Sequence, residues 1–232
     1  MAGITLLHGS DHIIKEPKYS LGKPHNDYGQ GFYCTGELEM AKEWTCKENK
    51  DGFVNIYRFN TEGMKILNLL DGKHSVLNWI ALLLENRIFT LENEIAVDAR
   101  NYIIGNYSEK LTDYDVVIGY RADDSYFSYA QSFVSNALPL RSLNLALRLG
   151  KLGTQTALIS KRAFQQIEFI NAEAVDKKTY YPKFLSRDIT ARAGYQNQIK
   201  KIQSYRNDIF VMDILREEMK SNDPRIQRLL LK

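Results

Sequence analysis

Asp27-Tyr28-Gly29-Gln30-Gly31-Phe32-Tyr33-Cys34-Thr35 is the stretch on which the reading of this chain turns. Two glycines one residue apart let the backbone turn and approach a neighbour closely, because neither carries a Cβ. Residues 31–35 then read as a short strand. Thr35 is placed to cap the helix behind it, and Glu37 and Glu39 in the first turn suit the positive end of the helix dipole. Along that helix Leu38, Ala41 and Trp44 fall on nearby faces.

Outward from this stretch the elements follow from composition and period. Residues 15–31 hold Pro17, Gly22, Pro24, Asn26, Asp27, Gly29 and Gly31 and read as a loop. Before it, residues 4–8 read as a strand that ends in a polar turn, Gly9-Ser10-Asp11. After it, residues 53–59 and 64–69 are strands, 75–87 and 92–106 are helices, and 114–120 is an apolar strand expected to be buried on both faces. A helix is expected from Asp123 to Asn136, and another through Leu140, Leu143, Leu147 and Arg148, ended by Gly150 or Gly153. Residues 155–160 form a strand, and residues 164–170 hold a helical turn and a further strand. From about residue 183 the pattern is helical, with Pro224 at the first position of a last short helix capped by Asp223. Strands and helices are interspersed without clean alternation, so the class is α+β rather than a doubly wound parallel sheet.

Composition narrows the possibilities. Of 232 residues, 44% are hydrophobic and 25% charged, which excludes disorder of the whole chain. No apolar run approaches the roughly 18 residues of a membrane span. The net charge is only +3, but residues 176–232 carry 13 Lys and Arg against 7 Asp and Glu. That segment reads as a basic helical extension of a domain spanning residues 1–175. Its charge suits a solvated helix face, or a contact with phosphates or an acidic partner. Cys34 and Cys46 make no disulfide framework and no zinc spacing. The first residues lack a basic stretch followed by an apolar one, so no signal peptide is expected and the cytoplasm is the default compartment.

Familiar phosphate and hydrolase motifs are missing. There is no P-loop, Gly29-Gln30-Gly31 lacks a third glycine, and neither a Gly-x-Ser-x-Gly elbow nor a His-Glu-x-x-His helix occurs. What remains is His8-Gly9-Ser10 and the glycine loop. A strand-end histidine can hydrogen-bond a ligand, and the glycine beside it leaves its peptide group open to an amide. Tyr33 supplies a stacking face just after the turn, and Trp44, eleven residues on, a second. Together they make a slot for a flat heteroaromatic amide. Taken singly, Tyr33 and Trp44 also read as core aromatics, His8 as a strand-end histidine and Cys34 as a buried small hydrophobe. Arg87 and Asp123 suit either an ion pair at a substrate edge or helix capping. Tyr126, Phe127, Tyr129 and Phe133 suit a target surface or, by their helical spacing, core packing.

These motifs resemble the ADP-ribosyltransferase superfamily, in its His-Tyr-Glu branch. A bacterial family of uncharacterised transferase-like domains shares the resemblance. It is carried by His8-Gly9-Ser10, by Asp27 through Thr35, by Ala41-Lys42-Glu43-Trp44 and by Tyr114-Asp115-Val116-Val117-Ile118-Gly119, over about residues 4–170. It implies two small twisted sheets with a cleft that holds NAD as co-substrate. By that resemblance His8, Gly9, Ser10, Gly31, Phe32, Tyr33 and Trp44 bind the dinucleotide. His8 would meet a ribose hydroxyl, the Gly9 backbone the carboxamide, and Tyr33 and Trp44 the nicotinamide ring. The third motif carries a glutamate at the start of a late strand, where this chain has Gln155. Gln155 can hydrogen-bond a ribose hydroxyl but holds no charge. Glu168 is the nearest carboxylate alternative. The expected catalytic set is therefore His8, Tyr33 and Gln155, with no metal.

Three functions follow as expectations. The first is transfer of ADP-ribose from NAD to a protein or nucleic-acid acceptor with release of nicotinamide; the resemblance adds toxins paired with a small antitoxin-like protein, for which the basic tail is a candidate dock. The second is a non-catalytic module that binds NAD or ADP-ribose. The third is nucleic-acid binding by the basic C-terminal helices.

Overall fold

The computed structural model of this chain describes residues 3–91, 93–122, 124–143, 153–200 and 207–231. Among them, strands form two sheets. The first holds β1 (Gly3–Ser10), β3 (Gly52–Asn60) and β7 (Ile167–Val175), antiparallel in the order β1-β3-β7. The second holds β2 (Phe32–Cys34), β4 (Ile66–Asn68), β5 (Val116–Tyr120) and β6 (Thr154–Leu158), in the order β2-β6-β5-β4, with β4 and β5 parallel. This is an α+β architecture with two open sheets.

Among the described residues one backbone bridge joins the two sheets. Leu7 and Thr35 exchange both backbone hydrogen bonds at 2.9 Å, and beyond that bridge β1 and β2 diverge. β1 is longer than the sequence suggested: Gly9 and Ser10, expected in a turn, continue the ladder opposite Val54 and Phe53. The twofold period of a strand then sorts side chains between two cores. Phe32 and Cys34 face inward between the sheets with Leu6, Tyr57, Phe59, Val116 and Leu158. Tyr33 points the other way, towards Ala157, Val117 and the helical core. As expected, β5 is apolar because side chains on both of its faces are buried.

Helix α2 (Val76–Asn86) anchors that helical core, with residues 76–84 all buried. Eleven residues are too few for a stable helix in water, so burial rather than propensity sustains it; each buried Leu or Ile contributes about 1.5–3 kcal/mol. Ser75 caps it in a reciprocal box with Asn78. Around it pack α3 (Glu94–Tyr107), capped by Asn93, and α4 (Asp124–Val134). Phe127, Tyr129 and Phe133 are core residues. The helix stops short of Asn136, whose φ of 61° is left-handed.

At α1 (Leu38–Thr45) the cap differs from expectation. Glu37 holds the N-cap position, and the Thr35 hydroxyl accepts from the Glu37 N–H one step earlier. Met40, Ala41 and Thr45 form its buried face, while Leu38 is exposed. A short α5 (Lys161–Phe164) precedes β7, which extends to Val175, five residues past the expected strand. In the helix expected near residue 140, Leu140 and Leu143 are buried; Leu147, Arg148 and Gly150, like Asp123, lie outside the described residues.

The C-terminal segment divides in two. Helix α6 (Lys177–Lys200) lies along α1 through Lys183–Glu39 and Arg187–Glu43 ion pairs at 3.1 and 3.0 Å. Helices α7 (Val211–Arg216) and α8 (Pro224–Gln227) instead enter the core around α2, burying Val211, Ile214, Met219, Ile226 and Leu231. Asp223 caps α8 as the sequence indicates, accepting from the Arg225 N–H. Among the described residues no helix is long and apolar enough to cross a membrane.

Candidate functional site

The split between β1 and β2 is the starting point. Leu7 spends its N–H and C=O on Thr35, and antiparallel alternation turns the peptide groups of Gly9 to the same side. There the strands have parted, and among the described residues no backbone partner reaches Gly9 from β2. An N–H and a C=O therefore sit side by side at the split. A Cβ at residue 9 would run into the Ala41 carbonyl and come within 2.9 Å of the Trp44 Cβ. Only glycine lets β1 lie this close to α1, and the contact places Trp44 beside Gly9.

His8 closes the other side of the split. Its Nδ1 lies 2.7 Å from the Tyr33 carbonyl. A carbonyl only accepts, so Nδ1 carries the proton and Nε2 is the acceptor of a neutral ring. Burial holds the His8 imidazole below its ordinary range, against the pull of the Tyr33 carbonyl and with a small push from His12. The ring stacks on Phe32 at 4.3 Å.

A cleft of about 790 Å³ opens here, lined by His8, Ser10, Gly31, Phe32 and Tyr33 and by the loop from His12 to Asn26. That size suits a small-molecule site. The loop brings Lys15, Lys18 and Lys23 to the rim against one carboxylate, Glu16. Asn55 fixes the loop from below. It is fully buried in β3, accepts from the Ile14 N–H at 2.8 Å and donates to the Ser10 hydroxyl and the His12 carbonyl. The Tyr57 hydroxyl donates to the Ile14 carbonyl. Gly22 packs so closely on Gly31 that a Cβ on Gly22 would strike the Gly31 carbonyl, and Gln30 ties the same segment through the Ser20 and Gly22 carbonyls.

The side chains of Tyr33 and Gln155 lie on the opposite face of the second sheet. The Tyr33 ring packs alongside Tyr28, and its hydroxyl donates to the Gly29 carbonyl at 2.6 Å and accepts from the Tyr28 N–H at 3.0 Å. It thus locks the glycine turn, where Gly29 has a φ of +72°. Gln155 is buried near the start of β6, and its Nε2 donates to Asp27 Oδ2 at 2.8 Å and towards the Tyr120 carbonyl at 3.3 Å. Asp27 also accepts from the Ala122 N–H and faces Arg87 at 3.4 Å. Burial pushes the Asp27 carboxyl up, while the Ala122 amide, Arg87 and Gln155 pull it back. Arg87 stacks over Phe127 and donates to the Ala122 carbonyl. Trp44 does not line the cleft; its ring faces the Arg121 guanidinium at 5.0 Å. Glu168 sits exposed on β7 opposite Arg58, away from Gln155. Cys34 is fully buried, which raises its thiol well above its ordinary range and disfavours the thiolate.

A family model described as "Protein of unknown function (DUF3990)" matches residues 4–169. The chain belongs to the DUF3990 family. No curated protein and no solved structure matches it. The DUF3990 match covers the split, the cleft and the Asp27–Gln155 cluster, and leaves α6 to α8 outside. The roles of Asp27 and Asn55 were missed in the sequence. Asn55 left a signal, a lone amide in the middle of an apolar strand; Asp27 opens the motif that carries the resemblance, but nothing local marks it as the partner of Gln155.

Proposed function

We propose that this protein is an NAD-dependent ADP-ribosyltransferase that moves ADP-ribose to a macromolecular acceptor and releases nicotinamide. The open peptide group of Gly9 carries the reading. A primary carboxamide offers one acceptor and two donors, the complement of an adjacent N–H and C=O. Trp44 stands beside that peptide group, where an aromatic ring suits a flat heterocycle. His8 Nε2, an acceptor, suits a ribose hydroxyl. The lysines at the rim suit the two phosphates.

The chemistry asked of these residues is modest. The glycosidic bond between the ribose C1′ and the nicotinamide nitrogen breaks, and the electron pair leaves with nicotinamide. A nucleophile of the acceptor forms the new bond at C1′ and gives its proton to solvent. Charge builds on the sugar in between, so acceptor dipoles held against the ribose favour the transition state over the ground state. His8 Nε2 is such a dipole, and neither it nor the uncharged Gln155 is a strong base, which favours an acceptor already nucleophilic over water.

Calorimetric titration with NAD, with nicotinamide followed in the same samples, tests the reading. Tyr33→Phe keeps the ring and should retain binding, whereas Tyr33→Ala should lose most of it. Equal binding by parent and Tyr33→Ala would remove the assignment. The uncharged Gln155 favours a second reading, a module that binds NAD without cleaving it; saturable binding with no nicotinamide release in the presence of cell extract would select it.

A further inference from the structure

Helix α6 is long, basic and shallowly seated. Its 24 residues carry six Lys and Arg against one Asp, and its apolar residues gather on no single face. No described side chain of α6 is buried, and Leu185 and Ile189 are exposed. Such a helix is held by its charge pairs and its ends rather than by a core. The first turn is the firmer end, where Tyr180 and Tyr181 pack against Ala41, Cys46, Val54 and Val175. Pro182 follows and donates no hydrogen bond back to Lys178, which weakens the helix at that point. Beyond it Lys183 meets Glu39 at 3.1 Å and Arg187 meets Glu43 at 3.0 Å.

The same stretch runs past the split between the sheets. α6 packs on both α1 and α4. Between those helices Trp44, the residue after Glu43, meets Arg121, just ahead of α4, ring to guanidinium at 5.0 Å. Trp44 also stands beside the open peptide group of Gly9. Its Nε1 is sealed from solvent and makes no hydrogen bond. An indole N–H buried without an acceptor is unfavourable, and it gains when water or a ligand can reach it. We infer that α6 is an autoinhibitory strap: it holds the Trp44 side of the split shut, and it swings about Pro182 to let a dinucleotide in. What the opened site admits rests on the NAD reading; the strap itself does not. The cleft on the His8 side is open in the same structure, so the strap governs only the end that seats the flat ring. α6 lies beyond residues 4–169, the stretch shared with the family.

The test uses the full chain as parent, as Lys183→Glu with Arg187→Glu, and as that double variant with Glu39→Lys and Glu43→Lys added, which restores both pairs in reverse. Arg187→Gln is a milder fourth form. Indole resonances of 15N-labelled tryptophan follow the strap without ligand. Trp79, whose Nε1 donates to the Tyr120 carbonyl in the core, is the internal reference. In the double variant the Trp44 indole proton should exchange with solvent about tenfold faster while Trp79 keeps the parent rate. Melting should change little, because α6 buries so little. NAD should bind the double variant about tenfold more tightly, as expected if the open form is about a tenth of the parent population. The charge-reversed form should return both readings to those of the parent, and Arg187→Gln should move both in the direction of the double variant by less. Parent-like Trp44 exchange in the double variant and in Arg187→Gln, or faster exchange with unchanged NAD affinity, would overturn the strap. Faster exchange with no NAD bound by any form would overturn the NAD reading and leave the strap supported.

Discussion

The two faces of β2 behave differently although three residues make them both. On one, Phe32 stacks on His8 and lines an open, lysine-rimmed cleft walled by a long polar loop. On the other, Tyr33 closes the glycine turn above a sealed cluster in which Asp27, Gln155 and Arg87 satisfy one another. Both faces are buried along β2, but the first opens at its end onto groups with spare hydrogen-bonding capacity and the second has almost none. Loss of a polar group should therefore lower ligand affinity on the first face and stability on the second, whereas loss of the whole Tyr33 ring should lower both. A single motif, Gly29 to Thr35, serves both because the strand period sends alternate side chains to opposite sides.

Gly9→Ala should break that arrangement most severely. The new methyl meets the Ala41 backbone, which cannot move without parting β1 from α1. A cost of about 3 kcal/mol or more is expected, read as a large drop in the urea midpoint. Asn55→Leu comes next. It leaves the Ile14 N–H without its partner and frees the cleft loop, costing about 2–3 kcal/mol. Because the loop walls the cleft, NAD affinity should fall with it. Intact affinity in a destabilised Asn55→Leu would show that the loop and the ligand are independent, contrary to the comparison.

On the sealed face, Tyr33→Phe removes the hydroxyl that joins Gly29 and Tyr28. The expected loss is about 1–2 kcal/mol of stability with affinity nearly unchanged, the reverse of the cleft variants.

Acidification probes His8. Its folded-state value lies below the ordinary 6.5, so the unfolded chain takes up the proton first. The stabilising contribution is fully present above 6.5 and is lost as the pH falls below it towards the folded-state value. His8→Gln should flatten this part of the melting profile, and NAD binding by the parent should weaken only as the pH falls through the folded-state value, where Nε2 ceases to accept. A profile identical in both proteins would mean that His8 is not the group that titrates.

The smallest effect belongs to the rim. Lys18→Ala should weaken NAD binding by only a few-fold, within the roughly 1 kcal/mol expected of an exposed charge pair, and the difference should fade at high salt. Stability should not change.

Much of the frame was legible in the sequence. The apolar run of β5 announced burial on both faces, and Asp223-Pro224 announced α8. The end of β7 did not, because an edge strand with one solvated face carries a diluted alternation: Ile170 and Glu173 are both exposed. Gly9 and Ser10 look like a turn by composition and are strand only because β3 pairs with them. The cap of α1 moved two residues because Thr35 spends its backbone on Leu7. In the site, His8, Gly9, Ser10, Gly31, Phe32 and Tyr33 are motif residues that geometry does bring together. The Asp27–Gln155 pair spans 128 residues; each residue stands in a motif of the sequence, but nothing local marks the two as partners, which only the fold brings together.

Titration of the purified protein with NAD, heat and nicotinamide followed together, tests the central claim most directly. Saturable binding that Tyr33→Ala and Asn55→Leu weaken, with nicotinamide released once acceptor is supplied, is the result expected. Absence of binding by the folded parent would contradict it.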